Sequence, residues 1–268
     1  MSIKPFYEDT DIALARYALG RGVLAFSTMR PGGVSQGSYA SMNINAYCGD
    51  TAAHIAENRR RLAAALGVKE NRILVPHQVH GTETRVVDAQ LLSSPSSVRA
   101  ALLQGVDALT TNVPGVCIGV STADCVPVLL YDPQHQAAAA VHAGWRGTQQ
   151  RILGHVLRTM ADQYATQPSD LRAVVGPAIS LHAFEVGDEV WQAFADAGFD
   201  MQLIARREDK WHINLPLCNR LQLQALGVPM EHIADSNSCT FTQHEQYFSA
   251  RRLGIQSGRV YSGILLHP

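Results

Sequence analysis

Four short segments of the chain carry the side chains that could together perform chemistry. The segments are residues 77–81 (His-Gln-Val-His-Gly), 122–127 (Thr-Ala-Asp-Cys-Val-Pro), 142–148 (His-Ala-Gly-Trp-Arg-Gly-Thr) and 247–252 (Tyr-Phe-Ser-Ala-Arg-Arg). The first three adjoin the ends of expected strands, where functional sites are commonly assembled. Imidazole and thiolate groups are the ligands that zinc prefers. A histidine of the first segment, Cys125 and His142 could therefore bind one metal ion together.

Each of these residues also has a structural explanation. A single histidine in a loop is usually a hydrogen-bonded structural residue, and a cysteine flanked by apolar residues, such as Cys117, is usually a small buried hydrophobic group. Gly144 and Gly147 could simply permit a tight turn from strand to helix. The joint occurrence favours a site, because a polar Asp-Cys pair interrupts two otherwise apolar strands. The residues alone leave both interpretations open.

Charge and composition exclude several classes of protein. The 268 residues include 22 Lys and Arg against 23 Asp and Glu, a net charge of -1, so we expect neither a nucleic-acid binder nor an anionic-membrane binder. No apolar run approaches the length of a transmembrane helix, and residues 1–9 lack the apolar core of a secretory signal. The five scattered cysteines do not form a disulfide framework. These features predict a cytoplasmic protein with free thiols.

Strand and helix patterns alternate irregularly along the chain. We predict strands at residues 22–28, 72–75, 84–88, 116–121, 126–131, 136–141, 171–175 and 259–266, and helices at residues 51–66, 148–163, 186–197 and 215–226. Gly67 is the expected stop of the first helix, and the Ser- and Pro-rich residues 93–97 are expected to form a surface loop. Irregular alternation favours an α+β fold of layered sheets and helices over a doubly wound sheet. The absence of linkers and repeats predicts one domain over residues 1–268.

Three of these segments together resemble a known family. Residues 80–81 (His-Gly), 123–127 (Ala-Asp-Cys-Val-Pro) and 142–147 (His-Ala-Gly-Trp-Arg-Gly) are similar to motifs of the laccase-domain or polyphenol-oxidase family. That family is also called the purine nucleoside phosphorylase or peptidoglycan-editing-factor family. Residues 32–35, 58–60, 176–179 and 247–252 match it as well, so the resemblance spans residues 22–265.

The resemblance implies a fold, a metal site and an activity. The fold is a layered α/β/β/α sandwich with mixed sheets, and the metal is zinc bound by His80, Cys125 and His142, with His77 as a substitute or supporting imidazole. Members of the family cleave adenosine, inosine and methylthioadenosine with phosphate and deaminate adenosine to inosine. A zinc-activated hydroxide suits the deamination. Purine nucleosides and phosphate are thus the expected partners, and a homodimer is one option for the assembly.

Phosphorolysis requires an anion site, which residues 144–148 could provide. They lead into the helix expected at residue 148, and free N–H groups at a helix start favour phosphate. Arg146 would add a bidentate donor, although pairing with a structural carboxylate explains it equally well. Arg60, Arg251 and Arg252 are further candidates for substrate binding. Trp145 or Phe248 could stack on a purine, although aromatic residues of this kind usually belong to the core.

Two other activities compete with the purine nucleoside enzyme. The first is a copper polyphenol oxidase, as one family name suggests. Laccases hold several copper ions largely through His-x-His pairs, and none of the eleven histidines forms such a pair. The second is a metal-free Cys–His hydrolase or amidase that edits peptidoglycan precursors, with Cys125 as nucleophile and His80 or His142 as base.

Overall fold

Two β-sheets packed face to face occupy the centre of the protein, in a computed structural model that describes residues 12–267. The strands in these residues are β1 Leu14–Tyr17, β2 Val23–Thr28, β3 Ile73–Leu74, β4 Thr84–Val86, β5 Ala108–Thr111, β6 Cys117–Thr122, β7 Val126–Asp132, β8 Ala137–Ala143, β9 Arg172–Val175, β10 Glu185–Val186, β11 Ala205–Arg207, β12 Trp211–Ile213, β13 Ile233–Asp235 and β14 Val260–Leu266. The α-helices are α1 Ala52–Leu66, α2 Ala89–Ser93, α3 Ser96–Leu102, α4 Trp145–Gln149, α5 Ile152–Tyr164, α6 Asp188–Asp196, α7 Met201–Ile204, α8 Leu215–Ala225 and α9 Ala250–Leu253.

Both large sheets contain parallel and antiparallel pairs. The first has five strands in the order β1-β2-β14-β6-β3, and the second has six in the order β13-β9-β7-β8-β5-β4. The pairs β3–β6, β4–β5 and β9–β13 are parallel, and the other pairs of these two sheets are antiparallel. A small third sheet has the order β10-β12-β11.

Helices cover the outer face of each large sheet. Between the sheets, Ile118 of β6 packs in one cluster with Leu129 of β7. On the outer face of the five-stranded sheet, Leu62 of α1 belongs to a cluster with Phe26 of β2. On the outer face of the six-stranded sheet, residues of α5, α6 and α8 pack against β7, β8 and β9. The layers therefore run α/β/β/α, and the predicted α+β sandwich with mixed sheets is confirmed.

Burial on both faces explains why two central strands have continuous apolar sequences. Every residue of β7 and of β8 is buried. A strand covered on both sides has no face that requires polar residues, so it does not alternate. The polar residues within these two strands therefore stand out: Asp132 at the end of β7 and His142 near the end of β8.

Several element boundaries agree with the sequence. Helix α1 ends at Leu66, and Gly67 adopts a left-handed conformation with φ 66°, a common way for a helix to stop. Thr51 precedes the helix, but its side chain makes no capping hydrogen bond. Within residues 12–267, no helix is both long and apolar enough to cross a membrane. The prediction that residues 1–9 carry no secretory signal lies outside the described residues.

Three predicted boundaries require correction. The single helix expected at residues 148–163 is two helices, α4 and α5, because Arg151 between them adopts φ 62° and breaks the helical hydrogen-bond pattern. The loop expected at residues 93–97 instead contains the end of α2 and the start of α3. Strand β8 extends to Ala143, so His142 belongs to the strand rather than to the loop after it.

Candidate metal centre

Three ligand-type side chains converge at one end of the two sheets. His80, Cys125 and His142 each offer a ligand atom, and these atoms all lie within 4.8 Å of one another. The two imidazole rings contact edge to face, with centroids 4.8 Å apart. His80 is exposed, Cys125 is half-buried and His142 is buried. The sequence prediction that these three residues meet is thus matched by their positions.

The strand register explains why Cys125 lies next to His142. In the antiparallel pair β7–β8, Val126 is opposite Ala143 and Pro127 is opposite His142. Cys125 immediately precedes β7, so it faces the residues that follow His142. Gly144 lies in that gap, where a Cβ atom would be 2.9 Å from Cδ2 of His80 and 3.1 Å from Sγ of Cys125. Cβ atoms essentially never approach another atom as closely as 2.9 Å, and 3.1 Å is already tight, so a side chain here would push the His80 and Cys125 side chains away.

A buried aspartate organises the other half of the centre. Asp107 lies just before β5 and is fully buried. Its carboxylate accepts hydrogen bonds from the backbone N–H groups of Val79 at 3.2 Å, His80 at 3.0 Å and Gly81 at 2.8 Å. These bonds hold the loop in which His80 adopts φ 63°, a left-handed conformation uncommon for residues other than glycine. The loop therefore depends on Asp107 for its shape.

The same carboxylate also orients His142. Nδ1 of His142 lies 2.7 Å from Oδ1 of Asp107, so the Nδ1–H group donates to the carboxylate and Nε2 remains as the ligand atom. Histidine ligands of metals usually have such a partner, which fixes the ring orientation and the tautomer. Sequence analysis missed Asp107. The available signal was a carboxylate between the apolar residues Val106 and Ala108 at the start of a strand.

The electrostatics of the centre stabilise a thiolate. Burial alone would raise the pKa of the Cys125 thiol, but the positive charge of His142 and hydrogen bonds with both histidines lower it to about 6. Burial would lower the pKa of His142, yet the neighbouring Cys125 and Asp107 raise it to about 9. The pair therefore favours the thiolate–imidazolium state when no metal is present. By contrast, burial raises the pKa of Cys117 to about 12.

A second side-chain bridge positions the loop that carries His80. Nε2 of Gln78 donates to the carbonyl of Ser121 at 2.8 Å, and Oε1 of Gln78 accepts from the N–H of Ser121 at 2.7 Å. Ser121 lies near the end of β6. The amide thereby continues the hydrogen-bonding pattern of the sheet and joins the two segments that supply His80 and Cys125.

A pocket of about 180 Å³ opens beside the three ligands. Besides those ligands, the residues lining it include Tyr47, His77, Gln78, Thr122, Ile255 and Arg259. His77 does not join the ligand cluster: its Nδ1 lies 2.6 Å from Oε1 of Gln104, and its ring stacks on Tyr47 at 4.2 Å. Tyr47 and Ile255 are exposed and form an apolar rim.

Arg259 is the one permanently charged side chain among the described residues that line this pocket. Its guanidinium donates to the backbone carbonyls of Ser257 at 2.5 Å, Gly258 at 3.0 Å and Ile255 at 2.9 Å. All these acceptors are neutral, and no carboxylate of residues 12–267 forms an ion pair with it. The positive charge is therefore available to an anion in the pocket. Sequence analysis did not single out Arg259, because nothing in its local sequence distinguishes it from the other arginines.

The other residues named from the sequence lie elsewhere. Arg146 is exposed, and its guanidinium stacks over the Trp145 ring at 4.2 Å. Helix α4 has only five residues, so the long helix expected to support phosphate binding there is absent. Arg60 is paired with Glu57 on the exposed side of α1. Arg251 donates its side chain to the carbonyl of Glu185 at 3.0 Å.

Phe248 and Cys117, both named from the sequence, are buried away from the ligand cluster. Phe248 is fully buried in a small cluster with Tyr247 and Val260, so it belongs to the core. Cys117 is also fully buried, with its sulfur 3.6 Å from the hydroxyl of Tyr261.

Curated relatives cover almost the whole chain. The chain is 45% identical over 245 residues to a purine nucleoside phosphorylase of Bacteroides thetaiotaomicron, covering 90% of this chain and 91% of the relative. It is 43% identical over 246 residues to adenosine deaminase RL5 of an unknown prokaryotic organism, covering 91% and 94%. The two names differ in reaction but share a purine nucleoside as substrate.

A solved structure and a family model also match nearly the whole chain. The crystal structure of YlmD from Geobacillus stearothermophilus superimposes with a TM-score of 0.91 at 31% identity, covering 98% of this chain and 99% of that one. A family model described as multi-copper polyphenol oxidoreductase laccase matches residues 24–267. With a match of that extent, the chain belongs to this laccase-like polyphenol oxidase family.

Proposed function

We propose that the protein is a zinc-dependent purine nucleoside enzyme. It cleaves adenosine, inosine and methylthioadenosine with phosphate, and it deaminates adenosine to inosine. The observation that carries the proposal is the His80–Cys125–His142 cluster, which lies in the wall of a pocket that the guanidinium of Arg259 also lines. The names of the curated relatives support the class of substrate.

The donor set fits zinc. Two imidazoles and one thiolate are ligands that zinc accepts, and three protein ligands leave a fourth position for water or substrate. The local structure also suits a metal ion, because the missing side chain of Gly144 leaves space for the three donors to approach one another. A soft thiolate disfavours magnesium and calcium, which take oxygen ligands. Zinc supplies a Lewis acid that makes water a nucleophile near neutral pH.

The chain's own residues divide the remaining work. Asp107 holds His142 in the tautomer that presents Nε2, and it shapes the loop of His80. Arg259 attracts the anionic reactant, because its guanidinium donates to neutral backbone carbonyls and no carboxylate of the described residues pairs with it. Tyr47 and the stacked His77 provide a flat surface at the pocket rim, on which a purine ring can stack. Roles for Arg60, Arg146, Trp145 and Arg251 in substrate binding stay predictions from the sequence.

Metal analysis combined with an adenosine assay tests the proposal. Purified protein should contain about one zinc per chain, as the single ligand set requires. Adenosine should give inosine and ammonia without phosphate, and adenine and ribose 1-phosphate when phosphate is added. Chelation should abolish both reactions, and zinc should restore them. Phenol turnover with stoichiometric copper and no nucleoside turnover would overturn the proposal.

Arginine variants separate the two candidate phosphate sites. Arg259→Gln should reduce kcat/KM for phosphate by about 10- to 150-fold, the effect of losing a hydrogen bond to a charged group. Arg146→Ala should produce a smaller change, because Arg146 stacks on Trp145 outside the pocket lining. Both variants should retain zinc. A normal phosphate response in Arg259→Gln together with a large loss in Arg146→Ala would reverse this assignment.

A metal-free Cys–His hydrolase is the second candidate function. The observation that favours it is the chain of contacts from Asp107 to His142 to Cys125, with the pKa of the Cys125 thiol lowered to about 6. A carboxylate, an imidazole and a thiolate in that order resemble a cysteine nucleophile with its base. Iodoacetamide distinguishes the two functions. The zinc enzyme should be protected from alkylation at Cys125 while zinc is bound, whereas full activity in chelated protein would favour the hydrolase.

The family description raises a copper oxidase as a third candidate. Residues 12–267 contain one cluster of three or more histidine, cysteine or acidic side chains that could hold a metal, whereas a laccase requires several copper ions. A single His2Cys copper with a weak axial ligand is typical of electron transfer.

We also propose a reducing cytoplasmic setting. The five cysteines, all within residues 12–267, form no disulfide with one another, as is usual in that compartment.

A further inference from the structure

Asp124 occupies an unusual position between strands β6 and β7. It directly precedes Cys125, and its backbone adopts φ 88°. Residues other than glycine uncommonly adopt positive φ, and aspartate and asparagine are among those that do so most readily. The direction of the Cys125 side chain depends on this turn, because Cys125 follows Asp124 immediately.

Three separate segments form hydrogen bonds with Asp124. The hydroxyl of Thr240 donates to Oδ1 at 2.7 Å, and the backbone N–H of Arg251 donates to Oδ2 at 2.7 Å. The backbone N–H of Ile179 donates to the carbonyl oxygen of Asp124 at 2.9 Å. Thr240 is fully buried, and its own N–H donates to the carbonyl of Ala178 at 3.0 Å. The turn is therefore anchored to the buried residues Thr240 and Ile179 and, on its other side, to the exposed helix α9.

The contact with Arg251 connects the turn to the wall of the pocket. Arg251 is the second residue of α9, where backbone N–H groups lack partners within the helix. Ser249 accepts from the N–H of Arg252 at 3.2 Å, and Asp124 accepts from that of Arg251. Ala250, the first residue of the same helix, lines the pocket beside the metal centre. One carboxylate thus holds both the cysteine turn and the adjacent wall.

We propose that Asp124 is a positioning residue of the metal centre, whose carboxylate clamps the β6–β7 turn so that Cys125 points at His80 and His142. The inference rests on the proposed metal site, but not on the nucleoside reaction. It also gives the backbone N–H of Arg251 a role in holding the turn. Asp124 itself does not line the pocket, so it acts through Cys125 and Ala250.

Metal affinity in Asp124→Asn tests the clamp. Asparagine preserves the size of the side chain and tolerates positive φ, but it has one acceptor oxygen where the carboxylate has two. One of the two 2.7 Å hydrogen bonds is therefore lost. Zinc affinity, measured by competition with a chromophoric chelator, should fall about 10- to 100-fold, as it does when partners of metal ligands are removed. The thiolate-to-cobalt absorption band of cobalt-loaded protein should shift or weaken.

Asp132→Asn is the matched control, because Asp132 is a hydrogen-bonded aspartate at the opposite end of β7, away from the metal centre. It should leave both zinc affinity and the cobalt spectrum as in the wild type. A folded Asp124→Asn protein with wild-type affinity and spectrum would overturn the positioning role. If that variant does not fold, Thr240→Val removes one bond to the same carboxylate, and unchanged zinc affinity there would contradict the proposal equally.

Hydrogen exchange separates this inference from the proposed function. In metal-free protein, amides of residues 122–126 and 250–253 should exchange at least about tenfold faster in Asp124→Asn than in the wild type or in Asp132→Asn, because local opening becomes easier. Unchanged exchange would refute the clamp, whatever the protein binds. A wild-type protein that binds zinc but turns over no nucleoside would contradict only the proposed function.

Discussion

The two ends of the β7–β8 hairpin each carry a histidine–aspartate pair of nearly the same geometry. At the open end, Nδ1 of His142 lies 2.7 Å from Asp107, and at the turn, Nδ1 of His135 lies 2.8 Å from Asp132. Both carboxylates are fully buried. The pairs differ in what surrounds them: His142 is buried beside Cys125, whereas the side chain of His135 is 38% exposed.

The difference shows that a histidine–aspartate pair acquires a role from its other contacts. Asp132 accepts from the N–H groups of Gln134 and His135, which are neighbours in the same turn, so the pair stabilises a local bend. Asp107 is 35 residues away from His142 in the sequence, and it also binds the loop of His80. It therefore brings distant ligands together. The contacts of Asp132 with Gln134 and His135 therefore shape one turn, whereas the contacts of Asp107 bring together the residues of the metal centre.

Alanine variants of the ligands should give the largest effect. His80→Ala, Cys125→Ala and His142→Ala each remove one of three proposed zinc ligands, so bound zinc should be lost or greatly reduced and turnover should become undetectable. His135→Ala should retain full zinc and activity. Elemental analysis and nucleoside assays on the same preparations measure both effects. Cys117→Ser is a further control and should also retain both. Zinc retention in all three ligand variants would contradict the assignment.

The two aspartates should differ in their effect on metal binding. Asp107→Asn should weaken zinc binding about 10- to 100-fold, because His142 loses the partner that fixes its tautomer. Asp132→Asn should leave the dissociation constant unchanged. Chelator competition at pH 7 measures both variants. Equal losses in the two variants would mean that the open end is not functionally distinct from the turn.

The loss of the Asp132 carboxylate should instead reduce the stability of the protein, and this effect should be the smallest. Asp132→Asn should lower the free energy of unfolding by about 1–3 kcal/mol at pH 7, since the turn loses hydrogen bonds to a charged group. Burial would raise the pKa of Asp132, but interactions with the Thr166 hydroxyl, with His135 and with the N–H of Gln134 outweigh burial and hold the pKa below its ordinary value.

The pH dependence of that loss has a definite sign. A carboxyl group whose pKa is lower in the folded state contributes stability that is fully present above its unfolded pKa, near 3.9, and that is lost as the pH falls through the folded value. The difference between wild type and Asp132→Asn should therefore be constant from pH 5 to 7 and should narrow below about pH 4. Urea unfolding of metal-free proteins at several pH values measures it. A difference that grows in acid would contradict the lowered pKa.

Much of the fold could be predicted from local patterns. Strands β7 and β8 are buried on both faces and therefore have continuous apolar sequences. Helix α5 is buried on one face and therefore has apolar residues at helical spacing, so the sequence identifies all three elements. Helix α1 was delimited by Gly67, whose left-handed conformation stops a helix whatever its tertiary surroundings. The break at Arg151 was not predictable, since arginine has no intrinsic preference for positive φ. The side chain of Arg151 donates to the carbonyl of Ala197 and lies over the ring of Phe199, and these distant contacts exist only in the folded chain.

Within the site, the sequence by itself determined the ligand types, their spacing and the family. Cys125 and His142 stand out because polar groups adjoin or interrupt apolar strands, and the resemblance to the family singles out His80. Tertiary structure alone decided that Asp107 supports them, that Asp124 clamps the turn and that Arg259 rather than Arg146 lines the pocket. The physical reason is the range of the contacts. A ligand type is a property of one residue, whereas the partners of a buried carboxylate or a guanidinium come from distant parts of the chain that only packing brings together.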